Sequence, residues 1–197
     1  MNGSLSALTC AVRTTLLVAV AAVLAGCVTV HLASSYDDQI DTGLSTIYVE
    51  TSTFVGKMIA AHGTTDGTYD KNQEFYATEE GKLDALIARA SGEQALGGCP
   101  SVMIVKKAIS LGAPQSAQVQ SALAQLPEGD CDVALLKLTR SAYGDMETFH
   151  KAQGPAGIPE SARSILLDGG VGSLLRAGIA VEAAKKAAQA GQSAGSK

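Results

Sequence analysis

The 197-residue chain carries 15 Lys and Arg against 19 Asp and Glu, a net charge of −4 with histidine neutral. So mild an acidic balance argues against partners held by charge alone, excluding nucleic acid and electrostatic adhesion to an anionic membrane. With 46% hydrophobic residues, 4% aromatic residues and no tryptophan, the core must be assembled from Leu, Ile, Val and Ala, which favours closely packed helices.

Residues 1–26 contain one charge, Arg13, followed by TTLLVAVAAVL and small residues. This is the charged start, apolar middle and small-residue end of an export signal peptide. Its apolar run is about 11 residues, whereas a membrane-spanning helix needs roughly 20, so cleavage is expected rather than retention. The alternative, a buried core helix, fits poorly because nothing on the run is polar enough to face water.

The segment closes on Leu24-Ala25-Gly26-Cys27, which resembles the lipobox of bacterial lipoproteins. The resemblance implies cleavage before Cys27, lipidation of Cys27 and a membrane reached through that lipid. Each buried acyl methylene contributes about 0.8 kcal/mol, and stable anchoring takes more than one chain. Val28 follows where Asp would mark inner-membrane retention in the enterobacterial sorting rule, so the resemblance implies the outer membrane, with the protein facing the periplasm.

The domain plan expected from this reading is a signal peptide at 1–26, lipidated Cys27 with a short tether at 27–34, a helical domain at 35–188 and a disordered tail at 189–197. Discarding Cys10 with the leader and assigning Cys27 to lipid leaves Cys99 and Cys131. In an oxidising compartment they are expected to form a disulfide. Closing a loop of about 33 residues contributes roughly 3 to 4 kcal/mol in the chain-entropy picture. Two free buried thiols or a redox pair are the alternatives, and no further Cys or His lies at metal-ligand spacing from either.

Along the mature chain, the first helix is expected to open at Ser34 or Ser35, with Ser35 and Asp38 as a capping box variant. Tyr36, Ile40, Leu44, Ile47, Thr51, Phe54 and Met58 then recur at steps of three or four until about Ala61, where His62-Gly63 ends the helix. A second helix carries Tyr69, Phe75 or Tyr76, Leu83, Leu86, Ile87 and Ala90 on one side, with Glu74, Glu79, Glu80, Lys82 and Arg89 mostly elsewhere, and stops near Ser91-Gly92. The middle is irregular: residues 101–111 read as a short helix, and 115–126 as helix or coil. Asp130 caps a third long helix with the stripe Cys131, Leu135, Leu138, Ala142, Met146 and Phe149. Pro159-Glu160 opens the last, with Ala162, Ile165, Gly169, Gly172, Leu175, Ile179 and Ala183 on one side and a kink or close approach near Gly169-Gly170.

These elements predict an all-α, antiparallel four-helix-bundle-like domain. The stretches YDDQID from Tyr36, EFY from Glu74 and VEAAKK from Val181 resemble a group of small helical bacterial envelope lipoproteins that carry no assigned activity. That resemblance adds an envelope setting and no chemistry.

Glu147 and His150 form a Glu-x-x-His element, the i, i+3 spacing that supplies metal ligands in di-iron bundles. Those sites need a second such element, which neither His31 nor His62 provides, so the simpler reading is a solvent-facing histidine near a helix C-terminus. Asp66, Asp70 and Glu74 follow at helical spacing as divalent-cation candidates or as a solvated acidic face. Gly169-Gly170-Val171-Gly172-Ser173 lacks the lysine and the preceding strand of a phosphate loop. No nucleophile and base pair is persuasive. The expected function is that of a non-catalytic envelope interaction or structural protein without a cofactor, working through a protein partner. The alternative is a metal- or small-ligand-binding periplasmic bundle using Glu147, His150 and neighbouring carboxylates.

Overall fold

Ile40, Leu44, Ile47, Thr51, Phe54 and Met58 lie one above another on a single helical face and are all buried in helix α1 (Asp38–Ala60). The computed structural model describes residues 35–94 and 131–195. Three more long helices follow α1: α2 (Tyr69–Gln94), α3 (Cys131–Gln153) and α4 (Val171–Gly195). No strand occurs among the described residues. The leader, the lipobox, Cys99 and the two segments expected at 101–111 and 115–126 lie outside them.

Cross-helix pairs set the topology. Gly43 of α1 faces Leu86 of α2, and Glu50 of α1 pairs with Lys82 of α2, so the two helices run antiparallel. Arg140 of α3 reaches Glu80 and Asp84 of α2. Lys185 near the end of α4 reaches Asp132 at the start of α3, and Gly178 of α4 lies under Leu44 of α1. Each helix is therefore antiparallel to its neighbours, and α4 closes the ring on α1. This is an all-α, four-helix-bundle fold whose core holds Ile47, Val55, Leu83, Leu136, Met146 and Leu175 between the helices.

The start of α1 departs from the serine expectation. Asp37, not Ser35, is the cap, its Oδ1 accepting from the amides of Gln39 at 2.8 Å and Ile40 at 3.3 Å. A carboxylate is favoured over a hydroxyl there because it also meets the helix dipole and the guanidinium of Arg89. Gly63, at φ 77°, ends the helix as the sequence suggested.

In α3 the buried stripe is rotated from the expected one. Leu135 and Met146 are buried as expected, but Leu138, Ala142 and Phe149 are only half-buried, and Val133, Leu136, Thr139, Tyr143 and His150 point inward instead. Thr139, Tyr143 and His150 are tolerated there because each polar atom finds a partner.

The last helix is preceded by a tight turn at Glu160–Ala162, a wide π-turn at Ile165–Gly169 and a break at Gly170, where φ is −108° and ψ −132°. The wide turn shifts the phase of the stripe. Ile165 is consequently 64% exposed and Leu166 is buried in its place, and Ala183 also faces outward. The helix then runs to Gly195, through the stretch expected to be a disordered tail. Ala183-Ala184-Lys185-Lys186-Ala187-Ala188 just before it are strong helix formers, and the helix they establish continues through Gln189 and Ala190 past Gly191. The segment Glu160–Gly191 is long and apolar enough to cross a membrane by length and composition alone, a test that a core helix also passes.

Candidate functional site

Polar side chains enter the bundle at three levels, each tying helices that are distant in sequence. At the level where α1 begins, Asp37 pairs with Arg89 of α2, and its amide donates to Glu182 Oε2 at 3.2 Å. Lys185 Nζ donates to Glu182 Oε1 at 2.6 Å and to Asp132 of α3. Burial pushes the Glu182 carboxyl up, with Lys185 pulling it back, and the two carboxylates raise Lys185 against its own burial.

At the opposite end, His150 is fully buried. Its Nε2 lies 2.9 Å from the carbonyl oxygen of Gly67, which can only accept, so Nε2 carries the proton. Nδ1 then accepts from the Tyr76 hydroxyl at 2.9 Å. Burial holds the imidazole below the ordinary histidine range, and the Gly67 carbonyl opposes that only in part. The amide of Gly63 donates to the carbonyl of Ala156 at 2.8 Å, so the turn after α1 and the turn after α3 are joined at this end.

The middle level is the least symmetrical. The Thr51 hydroxyl donates to the carbonyl of Ile47 and accepts from Tyr143 of α3. Beside it Glu79 of α2 is only 2% exposed. Its Oε1 accepts from Lys82 Nζ at 2.8 Å, and the same ammonium pairs with Glu50. Glu79 Oε2 and Ser52 Oγ are the buried side-chain oxygens with no hydrogen-bond partner among the described residues. Burial pushes the Glu79 carboxyl above its usual value, with Lys82 acting the other way.

Glu79 lines a groove of about 550 Å³ between α1 and α2. Because the helices are antiparallel, the lining is ordered along its length. Glu50, Glu79 and Lys82 stand at one end, Lys57 and Lys71 at the other, and Phe54 and Phe75 at the waist. The two phenylalanine rings stack with centroids 3.7 Å apart and planes 3° from parallel. Stacking this close sets the spacing of the two helices that carry the rings. Lys57 and Lys71 make no ion pair among the described residues, whereas Lys82 makes two.

Compared with protein-family models, curated proteins and solved structures, the chain matches none.

The residues singled out from sequence are placed as follows. Glu147 and His150 share a helix but not a site. Glu147 accepts from the Tyr69 hydroxyl at 2.6 Å and pairs with Lys151 at 2.9 Å, which hold its carboxyl below the usual range. His150 is buried and not solvent-facing as expected; both of its nitrogens are engaged inside the bundle. Asp66, Asp70 and Glu74 are exposed, and no group of three metal-ligating side chains converges among the described residues. Gly170 and Ser173 form a helix junction in which the Ser173 hydroxyl donates to the Gly170 carbonyl at 2.7 Å. Cys131 opens α3, while its expected partner Cys99 lies outside the described residues.

Sequence reasoning put Glu79 and Lys82 on the wet side of α2 and did not single out Glu50, Glu182 or Lys185. One signal was available in the sequence: Glu79 lies three residues after Tyr76 and four before Leu83, on the line between two core residues.

Proposed function

We propose that the chain is an exported lipoprotein of the bacterial envelope, anchored through lipid on Cys27, facing the periplasm, and working by binding rather than by catalysis. The observation that carries this reading is Leu24-Ala25-Gly26-Cys27 at the close of a short apolar run behind a single arginine. Asp37 caps α1 about ten residues further on, a span under about 36 Å even fully extended, so the bundle stays near the membrane surface. Val28 after the cysteine favours the outer membrane, and a bridge between Cys99 and Cys131 belongs to the same oxidising setting. Cys27→Ala should abolish palmitate labelling and membrane fractionation, and persistence of both would sink the lipoprotein reading. Non-reducing mass spectrometry of the periplasmic form should find Cys99 joined to Cys131; two free thiols would refute the bridge. In-cell crosslinking from the envelope would identify a protein partner.

A second reading, small-ligand binding, is favoured by the groove between α1 and α2, which Phe54 and Phe75 line at its waist and where Lys57 and Lys71 make no ion pair among the described residues. A metal version resting on Glu147 and His150 would require His150 to give up Tyr76 and Gly67. Native mass spectrometry of the full lipidated chain extracted from membranes tests the ligand reading through a retained small-molecule mass.

A further inference from the structure

His150 closes one end of the bundle with both ring nitrogens, and only its neutral form suits both partners. Nε2–H donates to the Gly67 carbonyl and Nδ1 accepts from the Tyr76 hydroxyl, each at 2.9 Å. A second proton on the ring turns Nδ1 into a donor. The Tyr76 hydroxyl must then swing its hydrogen away, and this buried group has no other hydrogen-bond partner among the described residues.

The elements packed around the ring do not supply a free counter-charge. α1 presents the Phe54 ring and α2 the rings of Tyr69 and Tyr76, with centroids 6.2, 6.0 and 5.9 Å from the imidazole. α3 carries Glu147 one turn before His150, but its carboxylate already accepts from Tyr69 and pairs with Lys151. In the turn between α1 and α2, Asp66 beside Gly67 is exposed. A buried cation without a partner is costly, and opening the structure to water relieves it.

The same geometry limits how far the opening spreads. Among the described residues two hydrogen bonds join the turn 61–68 to α3 and to the turn behind it: His150 to Gly67, and the Gly63 amide to the Ala156 carbonyl at 2.8 Å. The turn's other hydrogen bonds run within it, to the end of α1 or to Asn72 of α2. Just beyond, the Tyr69 hydroxyl holds α2 on Glu147 of α3, and a carboxyl kept below its usual range stays charged in mild acid. The Asp37–Arg89 and Lys185–Asp132 pairs at the other end of the bundle do not involve His150.

We propose that His150 is a proton-operated latch: protonation at Nδ1 releases the turns 61–68 and 154–157 from each other and from α3, while the four helices stay packed. Burial holds the closed-state imidazole below its ordinary 6.5, and opening returns the ring to water. Below that value the open form binds a proton that the closed form does not, so its population rises about tenfold per pH unit until the closed form's own lowered value is reached.

Amide exchange of the full mature chain in detergent, divided by the intrinsic rate at each pH, reads the opening at Gly63, whose amide crosses the latch. Its protection should fall about five- to tenfold between about pH 7.5 and about pH 5.5. It should also be insensitive to sub-denaturing urea, because a local opening exposes little surface. Urea dependence at Gly63 equal to that of the core amides of Leu83 and Leu136 would mean global unfolding and would overturn the latch, as would protection that does not change with pH. His150→Gln keeps an amide donor for Gly67 without a titrating ring, and should make protection at Gly63 independent of pH; a pH dependence that survives the substitution would rule out His150 as the trigger. Ring carbon shifts of His150 in the unsubstituted protein give a reading that does not rest on the variant. They should titrate below about pH 6.5, where the fall in protection levels off, whereas a midpoint at or above that value would show that protonation tightens the contact and would overturn the proposal.

Discussion

His150 Nε2 donates to the carbonyl oxygen of Gly67 at 2.9 Å, joining the last turn of α3 to the turn that precedes α2 across 83 positions of sequence. Gly67 is suited to this place because a side chain there would collide with the carbonyl of Ala61. Gly157, at φ 69°, brings the turn after α3 against the same Gly67 carbonyl. The histidine is thus a structural clasp between two loops.

His150→Ala should destabilise the protein by about 3 kcal/mol, since it opens a cavity and leaves the Tyr76 hydroxyl and the Gly67 carbonyl without partners in a buried setting. Urea denaturation measures the loss. A change below about 0.5 kcal/mol, the range of ordinary surface substitutions, would contradict the clasp.

The same residue sets a pH dependence. Its folded-state pKa lies below the ordinary 6.5 because of burial, so between those values the unfolded chain binds more protons than the native one. Stability from this group is therefore complete above about pH 6.5 and is lost as pH falls through that value toward the lowered folded one. The raised carboxyls of Glu79 and Glu182 act with opposite sign, contributing fully below the ordinary 4.5 and losing that contribution as pH rises. The quantity to measure is consequently the difference in urea midpoint between wild type and His150→Gln. It should shrink as pH falls from about 7.5 to about 5, and a constant difference would refute the assignment.

Lys185 holds Glu182 and Asp132 together at the other end of the bundle while only 2% of its own side chain is exposed. Lys185→Met should cost about 3 to 5 kcal/mol, because it strands a buried carboxylate. Adding Glu182→Leu should recover much of that loss, as paired removal of buried charges commonly does. Thermal melts of the single and double variants decide it: a double variant no more stable than the single would show that the apolar pair cannot fill the site.

Two helical glycines should respond in opposite ways. A methyl group at Gly56 meets nothing within 4 Å, so Gly56→Ala should stabilise α1 by about 1 kcal/mol through helix propensity. At Gly178 the same methyl would lie 2.8 Å from Leu44 Cδ1, and crowding of about 1 to 3 kcal/mol should outweigh the propensity gain. Calorimetric melting temperatures check the pair, and stabilisation by both would mean that α4 stands further from α1 than described.

The apolar spacing of Ile40, Leu44, Ile47, Phe54 and Met58, the stop at Gly63 and the break near Gly169-Gly170 were legible because they depend on local periodicity and on backbone geometry that a few neighbouring residues dictate. From them the sequence alone determined that the protein is all-α, where α1 and α2 lie to within a few residues, and that the last helix is interrupted. It did not determine the face of α3. Leu138 and Phe149 are more apolar than Tyr143 and His150, and only the partners brought by other elements, Thr51, Tyr76 and Gly67, let those two polar residues join Leu136 and Met146 in the buried face. Glu79 was missed for the same reason: its burial depends on Lys82 and Glu50 meeting across two helices. Tertiary structure alone decided these placements, because the cost of burying a polar atom is set by whether a partner from elsewhere in the chain arrives within about 3 Å of it.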